Sequence, residues 1–325
     1  MLRERPWLAA AAGAALFLAV VAVVSALGTS SGEQRASSTA QAAAAEPTAT
    51  TGFGTSVTPL ARANRFDGTA AFALLREQVQ VYGWRPAGSA ALRRLAVRLR
   101  ALLPRGRFEA IPGHPRLRNI VGTVPGRRPA IVVAAHYDVE QAPEGFVGAN
   151  DGAAGTAAVV TLARAFAKLK RPPGARELRF VLFDGEEEPA GCQPFEACGI
   201  RGSRAYAERH AADVQALVLL DYIAEKTGLD FPRELGSDAA MWRQLRRAAS
   251  DVGVGSLFGP FQSGQVIIDD HYPFTQRGIP AIDIIDFNYP QADTLQDDLD
   301  AVSRRSLDAV GEAVHLLISR LRRSG

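Results

Sequence analysis

Cysteine is nearly absent from this 325-residue chain. Two residues, Cys192 and Cys198, are too few for a scaffold held together by several disulfides. Internal repeats are also missing, which excludes a solenoid or a propeller. No basic run stands out, despite a net charge of +3 and a pI near 9.1. The densest arginine segment, "RRLAVRLRALLPRGR" (93–107), carries its apolar residues at helical spacing. It reads as a solvated helix face, and nucleic acid is not an expected partner. Charge is absent altogether from residues 7–28, "WLAAAAGAALFLAVVAVVSALG".

That last absence is informative. An uncharged segment of this length spans a bilayer core as one helix and exceeds a usual signal-peptide apolar region. Arg3 and Arg5 precede it and no comparable basic cluster follows. The expectation is therefore a cytoplasmic tip and signal anchor over residues 1–28, single-pass, with the rest outside the cytoplasmic membrane. Secretion after cleavage near "SALGTSS" is the alternative. Residues 29–63 are rich in Ser, Thr, Ala, Gly and Gln, and read as a disordered linker. Outside the cytoplasm a disulfide closing "GCQPFEACG" between Cys192 and Cys198 is expected. Metal binding by the two thiols is the alternative, with no histidine nearby to support it.

From residue 64 to 325 helical and strand patterns alternate. Apolar residues at three- and four-residue spacing predict helices over 69–83, 89–103, 151–169, 202–210, 239–253 and 303–321. Apolar runs predict strands over 117–124, 129–138, 177–184, 214–223 and 280–287. Such alternation implies an α/β domain with a mainly parallel, or mixed, central sheet.

Acids and one histidine crowd the ends of these strands. The second predicted strand ends in His136 and Asp138, the third runs into "DGEEE" (184–188), and the fourth reaches Asp221. Asp151 begins the helix that follows the second strand. In an open α/β sheet the carboxyl ends of the parallel strands share one edge, where ligands bind. A helix cap explains Asp151 taken alone. It does not explain four such sites at one edge. One imidazole with several carboxylates suits zinc, and a carboxylate can bridge two ions. A glutamate beside a ligand can serve as the base. Tandem glutamates supply both roles, leaving Glu188 as loop charge.

Five segments, "AAHYDV", "GANDGAAG", "FDGEEE", "LLDYI" and "DDHYPFTQRGIPAIDII", occur in this order. Together they resemble the zinc-dependent aminopeptidases and glutaminyl cyclases, which share one fold. The resemblance runs from about residue 66 to the end and includes "RPAGSAALRRL". It implies a single domain, an α/β three-layer sandwich whose mixed, mainly parallel central sheet is flanked by helices, with one or two zinc ions. His136 and Asp221 would hold one ion, Asp151 would bridge, and Glu187 would hold the second. Glu186 would be the general acid/base, with Asp138 orienting His136.

The chain departs from the pattern at several places. The family's last ligand is a histidine in Trp-His-Thr or Ile-His-Thr, where "YPQADTLQDDLD" places Asp293. An oxygen ligand there adds a negative charge and holds the second ion differently, so a weakened or single-metal site is one implied outcome. "DDHYPF" and "GSR" lean toward the cyclases, yet Cys192 and Ala292 stand where those have tryptophan, and Asp283 where they have a histidine. His271, Asp269 and Asp283 are candidates for the substrate pocket. For His271 a purely structural hydrogen-bonding role is the other reading. The expected activity is a zinc metallopeptidase removing amino-terminal residues from peptides or proteins. Alternatives are a glutaminyl-peptide cyclotransferase and a catalytically impaired peptide-binding member of the fold.

Overall fold

A computed structural model describes residues 57–323, apart from 263 and 265. The expected anchor over 7–28 lies outside the described residues, as does most of the expected linker. Among the described residues, no helix is long and apolar enough to cross a membrane. Thr58 and Arg62, in the stretch that composition assigns to the linker, are fastened to the body. The Thr58 hydroxyl lies 2.9 Å from that of Ser306, and the Arg62 N–H donates to the Val252 carbonyl at 2.7 Å.

The described part opens with two helices. Asp67 accepts the Ala70 N–H and starts α1 (Gly68–Glu77), and Ser89 accepts the Leu92 N–H and starts α2 (Ala90–Leu102). The buried face of α2 is Leu92, Leu95, Ala96 and Leu99, the spacing of one helical stripe. Beyond α1 the helix widens into one π turn at Gln78–Tyr82, and the Gln78 amide donates to the Ala153 carbonyl at 2.9 Å.

Then come β1 (Arg107–Ile111), β2 (His114–Val124), β3 (Arg127–His136), α3 (Gly155–Lys168) and β4 (Arg176–Phe183). The short α4 (Phe195–Cys198), α5 (Arg201–His210), β5 (Val214–Asp221), β6 (Phe231–Arg233) and α6 (Ala239–Asp251) follow. The chain closes with β7 (Phe258–Gln262), the short α7 (Tyr272–Thr275), β8 (Ala281–Ile285) and α8 (Arg304–Leu321).

Six strands form the main sheet in the order β1-β2-β4-β3-β5-β8. β4, β3, β5 and β8 run parallel, while β1 and β2 pair antiparallel at one side. The central strands are apolar on both faces, so each alternation of side chains feeds a different core. Ile131, Val133 and Ala135 of β3 join Phe180 of β4, Val218 of β5 and the inner faces of α1, α2, α3, α6 and α8. Val132, Ala134, Val181 and Leu219 point the other way, against Tyr206 and Ala207 of α5 and Phe274 of α7. This is the expected three-layer α/β sandwich. All five predicted strands are present; β1 and the separate pair β6 and β7 add to them.

Register aligns the strand ends. His136 pairs with Phe183 across β3 and β4, and Asp221 pairs with Ile285 across β5 and β8. One predicted boundary is corrected. The helix read from Asp151 becomes regular only at Gly155, because Asp151 (φ −82°, ψ 109°) and Gly152 (φ 78°) are not helical. A side chain at Gly152 would be strained at that positive φ, and its Cβ would lie 2.5 Å from the Asp138 carbonyl oxygen.

Candidate metal centre

The kink before α3 decides what Asp151 does. It makes no capping bond to α3; its Oδ1 lies 3.0 Å from Nε2 of His136. Asp221, at the end of β5, places Oδ1 3.3 Å from the same nitrogen. Glu186 and Glu187 follow β4, where Gly185 takes a positive φ of 75° and turns the chain back over the sheet edge. The start of α5 holds that turn: Ile200 N–H donates to the Glu186 carbonyl at 2.7 Å and Arg201 N–H to the Gly185 carbonyl at 2.8 Å.

Ligand-type atoms of His136, Asp151 and Asp221 all lie within 4.8 Å of one another, as do those of His136, Glu186 and Glu187. All five side chains are buried. His136 is common to both groups. Its other nitrogen, Nδ1, lies 3.8 Å from Asp138 Oδ1, an oxygen that also accepts the Glu186 N–H at 3.3 Å.

Of the acids in "DGEEE", Asp184 is structural: its carboxylate accepts the Arg118 N–H at 2.9 Å and the Tyr137 hydroxyl at 3.0 Å. Glu188 is half-buried and groups with Glu140 and Glu187. Asp293 is exposed, with φ 56°, and the hydroxyl of Tyr222 links it to Asp151 at 3.3 and 3.0 Å. It belongs to neither His136 group. Asp269, His271 and Asp283 are buried together, close enough to form a ligand-type group of their own. Cys192 and Cys198 are joined as a disulfide, Cα atoms 6.1 Å apart.

Packed carboxylates this dry are costly as anions. Burial pushes Glu186 and Glu187 well above the usual carboxylate range, and Asp221 up to about 7. Burial alone would lower His136, but Asp138, Asp151 and Asp221 together hold it well above its ordinary value. His136 Nδ1 and Asp138 Oδ2 have no hydrogen-bond partner. A set of one imidazole and several carboxylates, short of positive charge and of donors, fits a divalent cation.

Several supporting residues escape sequence reading. Asp297 accepts the backbone N–H groups of Asn150 and Asp151 at 2.8 and 3.0 Å, and the Tyr289 hydroxyl at 2.8 Å. Asn150 accepts the Ala224 N–H at 2.7 Å, tying the Asp151 loop to the chain just after β5. Arg85 is fully buried and donates to the Val147 and Gly148 carbonyls, fixing the approach to Asp151. Burial lowers its pKa to about 10, with Asp151 first among the charges that oppose the drop. It remains a cation. Only "RPAGSAALRRL" hinted at Arg85; Asp297 looked like one acid among several in a polar turn.

Comparison with known proteins is consistent with this geometry. Residues 119–318 match the sequence profile of peptidase family M28. The chain belongs to that family. A glutaminyl-peptide cyclotransferase from Bos taurus is 29% identical over 246 residues, covering 63% of this chain and 66% of its own length. A glutaminyl cyclase from an Acidobacteriales bacterium superposes with a TM-score of 0.70 at 26% identity, over 81% of this chain and 97% of its own. A Zn-dependent exopeptidase from Parabacteroides distasonis reaches 0.68 at 23% identity, over 80% and 99%, which is a likeness of fold. The M28 chain is thus similar in sequence to glutaminyl cyclases and shares its fold with a zinc-dependent exopeptidase.

Proposed function

We propose that this chain is an extracytoplasmic, membrane-anchored zinc hydrolase that releases amino-terminal residues from peptides. The observation that carries the reading is His136 standing in two buried ligand groups at once, one with Asp151 and Asp221, the other with Glu186 and Glu187. His136, Asp151 and Asp221 would hold one ion; Glu187, with Asp151 shared and Asp293 as an added oxygen donor, would hold a second. Bound zinc would polarise the scissile carbonyl and favour ionised water at neutral pH.

The residues of the chain do the rest. Glu186, left free of a ligand role, accepts the proton of the attacking water and returns it to the leaving amine. Asp138 holds the glutamate turn through the Glu186 N–H, and its Oδ1, 3.8 Å from His136 Nδ1, stands where it would orient that ring as a ligand. Glu140 and Glu188 stand beside Glu187, and acidic groups at the rim of the site would favour the α-ammonium group of a peptide's first residue.

A second reading is cyclisation of amino-terminal glutamine, favoured by the names of the bovine and Acidobacteriales proteins. Against it stand Cys192, Ala292 and Asp283, at positions where the resemblance calls for tryptophan and histidine. Zinc-loaded protein tested on aminoacyl peptides and on glutaminyl peptides separates the two. Hydrolysis frees a new amino terminus, whereas cyclisation frees ammonia. Zinc binding without either product would leave only the peptide-binding alternative.

A further inference from the structure

Acids crowd the carboxyl edge of the sheet, around His136. The opposite edge is basic. β3 and β4 begin there at Arg127 and Arg176, which pair across the sheet, and the Arg176 N–H donates to the Arg322 carbonyl just after α8 at 2.8 Å. α3 ends at the same edge with Lys168, and residues 168–171 read Lys-Leu-Lys-Arg. The 10 residues of β3 hold the two edges apart, by roughly 30 Å. These cations come from separate segments, so the fold gathers what the sequence scatters.

Little acid offsets them. Asp213 and Glu177 are engaged by Arg128 and Arg179, and Asp251 by Arg320. Asp67 caps α1 by accepting the Ala70 N–H. Among the described residues, no ion pair takes up Arg164, Lys168, Lys170, Arg171 or Arg323, and all five are exposed. Burial lowers the pKa of Arg322, and Arg171 and Arg323 lower it further, a sign that these cations stand close enough to repel.

Cations alone would read as a solvated face. Two observations point to a surface partner instead. Leu169, flanked by Lys168 and Lys170, is 50% exposed. A cavity of about 850 Å³ opens beside it, lined by Arg65, Arg164, Lys168, Leu169, Leu316 and Arg323 among others. A cationic rim over apolar side chains suits a phosphate headgroup with the first carbons of its acyl chains.

We propose that this basic edge docks on anionic phospholipid headgroups of the membrane that holds the anchor, so that the acidic metal centre faces away from the bilayer. The proposal rests on the anchored reading and not on the hydrolytic one. A flexible tether over 29–56, as composition implies, spans roughly 30 Å. Thr58 is fastened beside Ser306, about 24 Å along α8 from Arg322. A tether of that reach leaves the body free to turn, and charge decides which edge meets the lipid.

The test uses the full-length chain carrying Ala167→Cys on the exposed side of α3, the one free thiol because Cys192 and Cys198 are joined. A donor dye there is read against an acceptor among the headgroups of reconstituted vesicles, either phosphatidylcholine alone or a mixture rich in phosphatidylglycerol. Transfer should be strong in the anionic vesicles and fall in phosphatidylcholine or in concentrated salt. Each of Lys168→Gln, Lys170→Gln, Arg171→Gln and Arg323→Gln should lower the ratio of docked to undocked protein about fivefold. A donor at Leu295→Cys, exposed in the turn of Asp293, should transfer weakly where Ala167→Cys transfers strongly.

Flotation with the vesicles in concentrated salt reports the anchor separately. A chain that leaves both vesicle types there lacks an anchor, and docking is then read as salt-sensitive flotation with the anionic vesicles alone. Transfer from Ala167→Cys that ignores lipid charge and salt overturns the proposal, as does stronger transfer from Leu295→Cys in anionic vesicles. A protein that passes over anionic vesicles yet binds a DNA duplex in the same buffer overturns it equally.

Discussion

The carboxylate of Asp297 accepts the backbone N–H of Asp151 at 3.0 Å, so an acid from the turn before α8 sets where a candidate ligand stands. The neighbouring Asn150 N–H occupies its other oxygen at 2.8 Å. Replacing Asp297 by alanine strands two buried donors. The expected cost is about 2–4 kcal/mol of stability, together with weaker metal binding because the Asp151 loop is released. Urea unfolding and zinc titration report the two effects. A stable Asp297→Ala protein with parental zinc affinity would contradict this role.

Asp138 acts through its neighbours. With Oδ1 accepting the Glu186 N–H at 3.3 Å and lying 3.8 Å from His136 Nδ1, it is placed to orient the proposed base and, on our proposal, a ligand. Asp138→Asn should weaken zinc binding roughly 10–100-fold. Competition against a chelator of known affinity measures it, and an unchanged affinity would remove Asp138 from the account.

Asp293 is the most exposed of the proposed ligands, linked to Asp151 through the hydroxyl of Tyr222. Asp293→Ala should lose the second ion first, while Asp293→His should hold it more tightly and raise turnover. Zinc titration of the three proteins decides. Two ions bound with equal strength in Asp293→Ala would make Asp293 a loop residue.

Acid stability offers a prediction away from any metal. Burial lowers the His315 pKa from 6.5 to about 4, Arg65 adding to the shift, and the ring stacks on Phe166 with centroids 4.5 Å apart. The unfolded chain binds this proton more readily, so the contribution is complete above pH 6.5 and is lost as pH falls toward 4. The loss approaches about 3 kcal/mol. His315→Phe should unfold with less pH dependence between about pH 7 and 4.5, by roughly that amount. Identical pH profiles for both proteins would refute the assignment.

Much of the frame was legible in residue patterns. Central strands such as 129–138 are apolar on both faces, so length and alternation with helices identify them without any contact information. Acids at strand ends were equally visible, because a parallel sheet gathers its carboxyl edges together. Other features depend on long-range partners. The stretch 107–111 is a strand only because β2 turns back beside it, and Arg107 and Glu109 hide its pattern. Asp151 was expected as a bridging ligand at the start of a helix; the positive φ of Gly152 and the close approach of Asp138, invisible in sequence, form the kink that sets its carboxylate beside His136. Asp297 and Arg85 support the site through backbone groups, and a backbone donor or acceptor leaves no mark on sequence. Asp283 and His271 were named together through the resemblance, but their full burial side by side depends on the packing of β8 under α7.

Glu186→Gln gives the most direct test of the hydrolase reading, because it removes a proton carrier while keeping size and hydrogen-bonding shape. Zinc content and aminopeptidase turnover are measured on the same preparation. The account predicts parental zinc content with turnover lowered about 10²–10⁴-fold. Zinc lost in step with activity, or turnover left intact, would contradict it.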